Sequence, residues 1–215
     1  YGFDFYAPQT TLDNEGRRIL LAWMAMWESD MPERKDHWAG AMTLPREIYF
    51  EDNQLKCLPV KELESLRHDY LQFENILVEE KLTLDELEGD TMEINVVIDA
   101  MDATQFGLKV RCNELFTEQT ILTYDVANQL FSMNRDDSGK GQGGIRKAPI
   151  SLKNNLLNLT IFIDRSSVEV FLQEGEKVMS ARIYPSEDAN GVQFFSDNKV
   201  KIVKLEKWSL RSSIG

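Results

Sequence analysis

The chain reads as an all-β protein built around an antiparallel β-sandwich or barrel, and three observations predict this. Between residues 92 and 208, eight short segments carry period-2 alternation or β-branched runs. Turn residues separate them at close intervals: Asp102, Asn113, Glu174-Gly175-Glu176, Asn190-Gly191 and Asp197-Asn198. No helical pattern alternates with these strands, so nothing supplies the crossovers that a parallel sheet needs.

Taken in order, residues 1–50 form a first unit. The aromatic run FDFYA precedes the turn signal Asp13-Asn14-Glu15-Gly16, and the nearly continuous apolar run RILLAWMAMW follows at 18–27. Periodicity alone leaves helix or buried strand open for ten such residues, but the hairpin-like turn and the aromatic run favour strand. AMTLPR at 41–46, continued by EIYFEDNQL, predicts another strand that ends at an Asp52-Asn53 turn. The pattern then changes. Over 54–69, Pro59 is followed by Val60, Leu63 and Leu66, which predicts a short helix with proline near its first turn. This segment is expected to connect a first unit at 1–53 to a second at 70–215. No glycine-serine linker separates the two, so they are expected to pack together.

The second unit is strand after strand: MEINVVID, FGLKVRC, TILTYDV, LNLTIFID, SVEVFLQ, VMSARIYP, GVQFFSD and VKIVKLEKW. Between the third and fourth lies SMNRDDSGKGQGGIRKAP at 132–149, polar and rich in glycine. It is too long for a tight hairpin and is expected to be a mobile loop.

Composition narrows the function. A chain of 215 residues with 42% hydrophobic content can bury a proper core, as one all-β domain or one domain and part of another. Its 36 acidic and 24 basic residues leave a net charge of −12. That argues against nucleic acid, which needs clustered Lys and Arg, and against an anionic membrane surface. It is compatible with a neutral substrate such as a sugar. No apolar run approaches the ~20 residues of a membrane span, and no signal-peptide pattern is visible. Cys57 and Cys112 are the only cysteines, far apart and expected to be reduced, as in a cytoplasmic protein. No CxxC or Cys/His cluster suggests a metal, and no cofactor is expected. The GKGQGG stretch at 139–144 lacks the GxxxxGK[ST] spacing of a phosphate loop and opens no helix.

Few side chains stand out as chemical candidates. His37 and His68 have no GxSxG-type nucleophile to serve and read as surface or hydrogen-bonded histidines. In IDRSSVEVFLQEGE at 163–176, Asp164, Ser166 and Ser167 read as turn residues, with Arg165 pairing a neighbouring acid. Asp4 is more unusual, because an acid amid aromatic neighbours must find a partner or a ligand. It could accept hydrogen bonds from sugar hydroxyls, cap a turn, or pair with Arg17 or Arg18. Trp23 and Trp27 lie four apart, which shares a face in a strand and in a helix alike. They could line a cleft or pack in a core, and Trp38 could form a further wall of the same cleft.

Four segments, GFDFYAPQT, GRRILLAWMAMW, HWAGAMTLPRE and DRSSVEVFLQEGEKVMSARIYP, occur in this order from residue 2 to residue 185. Together they resemble the C-terminal half of glycoside hydrolase family 32, which includes invertases, sucrose-6-phosphate hydrolases, levanases and inulinases. The resemblance implies strands of the last blade of a five-bladed β-propeller, followed by the C-terminal β-sandwich. It implies retaining hydrolysis of a β-fructofuranosyl bond through a covalent fructosyl-enzyme. The family's nucleophile lies in Trp-Met-Asn-Asp-Pro-Asn-Gly, its transition-state stabiliser in Arg-Asp-Pro and its acid/base in Glu-Cys-Pro. None of these occurs in the 215 residues, and NRDD at 134–137 lacks the proline. The chain alone is therefore expected to be inactive, with no catalytic residue of its own and a propeller as its missing partner. Carried over by the resemblance are the rim of a pocket for a fructose-containing saccharide: Asp4, Tyr6, Trp23 and Trp27. An uncovered propeller edge would expose apolar surface, which predicts self-association, as in a homo-oligomer, or tight packing through residues 1–50. The other reading is a non-catalytic carbohydrate-binding or oligomerisation module.

Overall fold

The computed structural model describes residues 1–51 and 53–213. It holds three antiparallel sheets, one from the first quarter of the chain and two from the rest.

The first sheet contains β1 (Tyr6–Leu12), β2 (Arg18–Met24), β3 (Ala41–Met42), β4 (Arg46–Glu51) and β5 (Gln54–Pro59). Its order is β1-β2-β4-β5, with β3 added to β2. The β1–β2 turn forms because Asp13 Oδ1 accepts the N–H groups of Glu15 and Arg17, each at 2.9 Å. The apolar run predicted at 18–27 is a strand only as far as Met24, so Trp27 lies in the loop beyond it. Of the expected turn at Asp52-Asn53, Asp52 lies outside the described residues.

The expected connector at 54–69 is divided differently. Gln54–Pro59 pairs with β4 along its whole length and belongs to the first sheet. The helix is a single 3-10 segment, Lys61–Leu66. The i, i+3, i+6 spacing of Val60, Leu63 and Leu66 matches a three-residue turn better than the 3.6 residues of an α-helix. Arg67 already begins the next strand.

The remaining strands are β6 (Arg67–Val78), β7 (Lys81–Glu88), β8 (Met92–Asp99), β9 (Gln105–Cys112), β10 (Thr120–Asp125), β11 (Leu130–Asn134), β12 (Ile145–Pro149), β13 (Leu156–Asp164), β14 (Ser167–Leu172), β15 (Lys177–Arg182), β16 (Gly191–Ser196) and β17 (Val200–Leu210). They form two six-stranded sheets, β12-β11-β10-β9-β16-β7 and β15-β14-β13-β8-β17-β6. The sandwich core lies between them, with Phe106, Leu108, Tyr124, Phe131 and Phe194 from one sheet meeting Ile94, Ile98, Ile161, Val170 and Ile202 from the other. Three of the strands that alternation did not mark, β6, β7 and β12, lie at sheet edges. Most of their exposed positions carry polar side chains, with Tyr70, Leu77 and Ile145 the large apolar exceptions, and the polar residues protect an edge and blur the period-2 signal.

The stretch 132–149, expected as a mobile loop, is instead tied down. Both its ends are strand, and the chain between them bonds to its surroundings. Arg135 N–H donates to Gly144 O, Lys140 N–H to Tyr184 O, and Gly144 N–H to Asp136 Oδ1. Gly139 has φ +86, and a Cβ there would stand 1.9 Å from Tyr184 O, so only glycine permits this approach.

The first sheet docks on the outer face of the second sandwich sheet. Strand β14 serves both sides: Val168, Val170 and Leu172 face the sandwich core, while Glu169 and Phe171 face the first sheet. Phe162, Phe171 and Val178 gather there with Leu44, Cys57 and Leu63 into a second small core. Burying one such phenylalanine contributes about 1.5–3 kcal/mol.

Candidate functional site

Tyr6, Trp23 and Trp27 come together at one end of the first sheet. Tyr6 opens β1 opposite Trp23 on β2, and the register is irregular just after it, between Tyr6 and Gln9. Ala7 takes φ +46 in that step, a strained value for a residue with a Cβ. The Trp23 and Trp27 ring centroids are 5.2 Å apart at 65°. Tyr6 lies 6.1 Å from each indole, again edge to face. Such T-shaped contacts add about 0.5–1.5 kcal/mol per pair beyond area burial. Trp27 nevertheless keeps 70% of its surface in water and Tyr6 keeps 40%. Met42, Leu12, Leu21 and Met26 are also exposed on this sheet and its edges. The result is an exposed aromatic cluster, the type of surface on which a sugar ring stacks.

Gly40 fixes the back of this cluster. Its φ is +72, and a Cβ would come within 2.3 Å of Trp23 Nε1, so the loop can lie against the indole only with glycine there. Its N–H donates to Glu33 Oε1 at 2.9 Å.

Asp4 does not join the aromatic face. It is 1% exposed, and its carboxylate points into the sandwich. Its partners are neither Arg17 nor Arg18, because Arg17 is engaged by Asp13 and Glu62 and Arg18 by Thr10. Instead Arg182 donates from its backbone N–H to Oδ2 at 2.8 Å, and from Nε and Nη2 to Oδ1 at 3.2 and 3.0 Å. Arg135 Nη1 completes the set on Oδ2 at 2.9 Å. With four donors from two arginines, the carboxylate has little acceptor capacity left for a hydroxyl. Sequence spacing gave no sign of this, because Arg135 lies 131 positions away and Arg182 lies 178.

Asp4 belongs to a buried ionic layer between the first sheet and the sandwich. Arg182 Nη1 also reaches Glu33 Oε1 at 3.3 Å, and Arg46 Nη2 pairs with Glu169 Oε2 at 2.5 Å. Arg135 stacks over the Phe3 ring at 3.9 Å and Arg46 over Phe5 at 4.9 Å. The layer balances Asp4, Glu33 and Glu169 against Arg46, Arg135 and Arg182. Burial would by itself lower the pKa of Arg182, but Asp4, Tyr184 and Glu33 outweigh it and the net shift is upward. At Arg135 burial prevails over Asp4 and the shift is downward.

Two grooves flank the layer. One, of about 430 Å³, runs between Tyr49 and Leu58 of the first sheet and Asn95, Asn158 and Thr160 on the outer sandwich face. The other, of about 280 Å³, is lined by Trp38, Glu33, Lys140 and Tyr184. Trp38 thus lines a groove whose walls include neither Trp23 nor Trp27. His37 is exposed in a left-handed conformation, and His68 pairs with Asp69 at 2.6 Å. Arg165 pairs with Asp90 at 2.9 Å, 75 positions away, and not with a neighbouring acid of its own hairpin.

Retaining glycosidases need a carboxyl with a raised pKa to act as acid beside an ionised nucleophile. Among the described residues, every carboxyl that departs from the usual range moves down: Asp13, Glu33, Glu51, Glu62, Asp125 and Asp197. Among the same residues, no group of three His, Cys, Asp or Glu side chains is placed to hold a metal ion. Among the described residues, no helix is long and apolar enough to cross a membrane.

The comparisons with known proteins agree with this architecture. Residues 1–59 match the model for the N-terminal domain of glycosyl hydrolases family 32, and residues 62–209 match that for the family's C-terminal part. The sucrose-6-phosphate hydrolase of Staphylococcus xylosus is 36% identical over 98% of this chain, which corresponds to 43% of that protein. A raffinose invertase from Escherichia coli is 37% identical over 91% of the chain and 40% of its own length. The chain therefore spans less than half the length of these curated relatives. Among solved structures, the exo-inulinase of Aspergillus awamori superposes with a TM-score of 0.86 at 27% identity, over 99% of this chain and 44% of that one. The sucrose-6-phosphate hydrolase of Lactobacillus gasseri shares the fold at a TM-score of 0.84 and 23% identity, over 98% and 42%. With both family models matched in order and a blade-like sheet docked on a sandwich, this chain belongs to glycoside hydrolase family 32.

Proposed function

We propose that the chain is the last-blade and sandwich part of a β-fructofuranosidase that hydrolyses sucrose or sucrose-6-phosphate with retention. Tyr6, Trp23 and Trp27 form one flank of its sugar pocket, and Asp4 supports that flank from behind. The observation that carries this reading is the exposed aromatic face on the sheet matched by the family's N-terminal model. The identity to a sucrose-6-phosphate hydrolase along 98% of the chain supports the same substrate class. We assign residues 1–59 to the blade, 60–66 to the connector and 67–210 to the sandwich. Two unpaired thiols suit a reducing cytoplasm.

The family's three catalytic motifs lie outside these 215 residues, and loss of one member of such a set already removes most of the rate. The chain alone should bind sugar without cleaving it. Incubation with sucrose and with sucrose-6-phosphate, assayed for released glucose, should give no turnover. Calorimetric titration with a fructo-oligosaccharide should give saturable binding that Trp27→Ala weakens. Glucose release by the 215 residues would overturn the assignment of catalysis to another part of the fold.

A further inference from the structure

We infer that Arg182 is a positioning residue for the aromatic flank, an inference that rests on the reading of Tyr6, Trp23 and Trp27 as sugar-facing. Arg182 ends β15 in the sandwich and is 4% exposed. Its guanidinium reaches the blade at three points, one before β1 and two in the loop between β2 and β3. It holds Asp4, two residues before Tyr6, through Nε and Nη2. It donates from Nη2 to Ser29 Oγ at 2.6 Å, two residues after Trp27. It donates from Nη1 to Glu33 Oε1, the same oxygen that receives Gly40 N–H against the Trp23 indole. Each aromatic residue is therefore carried on, or backed by, a segment fastened to one planar side chain.

The chemistry suits arginine alone. A guanidinium directs five donors outward in a fixed fork and can serve several acceptors in different directions. A lysine ammonium offers three donors from one point and cannot span Asp4, Ser29 and Glu33 together. The other buried pair at this boundary makes only part of these links. Arg46 stacks over Phe5, next to Tyr6, but the side chains of Arg46 and Glu169 hydrogen-bond to each other, to Ser180 Oγ and to Leu44 N–H, and neither reaches Ser29 or Glu33 in the loop that carries Trp27 and Gly40. Arg46–Glu169 fastens the two units, whereas Arg182 fastens them and also sets the spacing of the aromatic rings.

The test is spectroscopic. Trp23 and Trp27 are close enough for an exciton couplet in circular dichroism, which is assigned by its disappearance in Trp27→Phe. Arg182→Gln should abolish the couplet, and Arg182→Lys should not restore it. Ser29→Ala, which removes only the hold on the Trp27 segment, should reduce the couplet with little change in Tm. Glu169→Gln should lower Tm and keep the couplet. An intact couplet in Arg182→Gln, or its loss in Glu169→Gln in step with Tm, would overturn the inference. If Arg182→Gln does not fold, an unchanged couplet in Ser29→Ala overturns it instead. A separate titration of the unaltered chain with 1-kestose, followed by tryptophan fluorescence, tests the sugar-facing reading. A flat titration would overturn that reading and leave the couplet to decide the role of Arg182.

Discussion

Arg46 and Glu169, 123 positions apart in sequence, form an ion pair at 2.5 Å across the boundary between blade and sandwich, with side chains only 5% and 3% exposed. The pair is nearly dry, and its neighbours are chosen to match. Ser180 Oγ accepts from Arg46 and donates to Glu169, while Leu44 N–H donates to the second carboxylate oxygen. Breaking such a pair by removing one partner strands a buried charge. Arg46→Met or Glu169→Gln alone should cost about 3–5 kcal/mol. The double variant Arg46→Met with Glu169→Gln should recover much of that loss, since no charge is left unpaired and Leu44 N–H keeps an acceptor. Urea denaturation of the four proteins measures the coupling, and strictly additive losses would contradict the buried pair.

Acid should loosen the boundary through Glu33. Burial pushes its carboxyl up, but Gly40 N–H, the Tyr184 hydroxyl beside it and the Arg182 charge outweigh burial and hold it below the usual range. A carboxyl depressed in the folded state contributes stability above its unfolded pKa and loses it as pH falls through the folded value. Stability should therefore decline from about pH 5 downward. In Glu33→Gln, the urea midpoint should start lower at pH 7 and fall less steeply toward pH 3. Parallel acid limbs in the two proteins would remove Glu33 from the explanation.

The two thiols should behave unequally. Burial pushes the Cys112 thiol up to about 11, and the side chain is 3% exposed. Cys57 is half-buried, with its thiol raised chiefly by burial and held back by Arg46. At pH 8, a thiol reagent should label Cys57 slowly and Cys112 only after denaturation. Rapid labelling of Cys112 in the folded chain would mean that the central β9–β16 pairing opens far more readily than its hydrogen bonding suggests.

Trp27 offers the converse case, a large side chain whose removal should cost only its ring contacts. At 70% exposure, Trp27→Ala should lower the unfolding free energy by about 1–2 kcal/mol, through its edge-to-face contacts with Tyr6 and Trp23. Saccharide affinity should fall roughly tenfold, as expected when a stacking platform worth about 1.4 kcal/mol is deleted. A loss of stability without loss of binding would make Trp27 a packing residue.

Much of this molecule is readable from residue order. Alternation in segments such as MEINVVID and LNLTIFID marks central strands, because successive side chains there point in turn to the buried sandwich core and to the partly covered outer face. It fails at β6, β7 and β12, where edge protection places polar residues on both faces. The reading of 132–149 as a mobile loop fails for a related reason. Glycine and charge look like solvent exposure, whereas here Gly139 permits close approach to Tyr184 and Arg135 enters a buried pair.

By itself, the sequence determined the class of fold, the family through its four motif segments, the absence of the family's three catalytic motifs, and the candidacy of Tyr6, Trp23 and Trp27. Local periodicity and local motifs carry that information, because they report which side chains leave water. Only the tertiary structure decided what covers them. It gave Asp4 to Arg182 and Arg135, turned Glu169 from a hairpin residue into a boundary clamp, and sent Trp38 to a groove that Trp23 and Trp27 do not line. The physical reason is that a buried charge must be matched within a few ångströms, and the residue that matches it can come from anywhere along the chain.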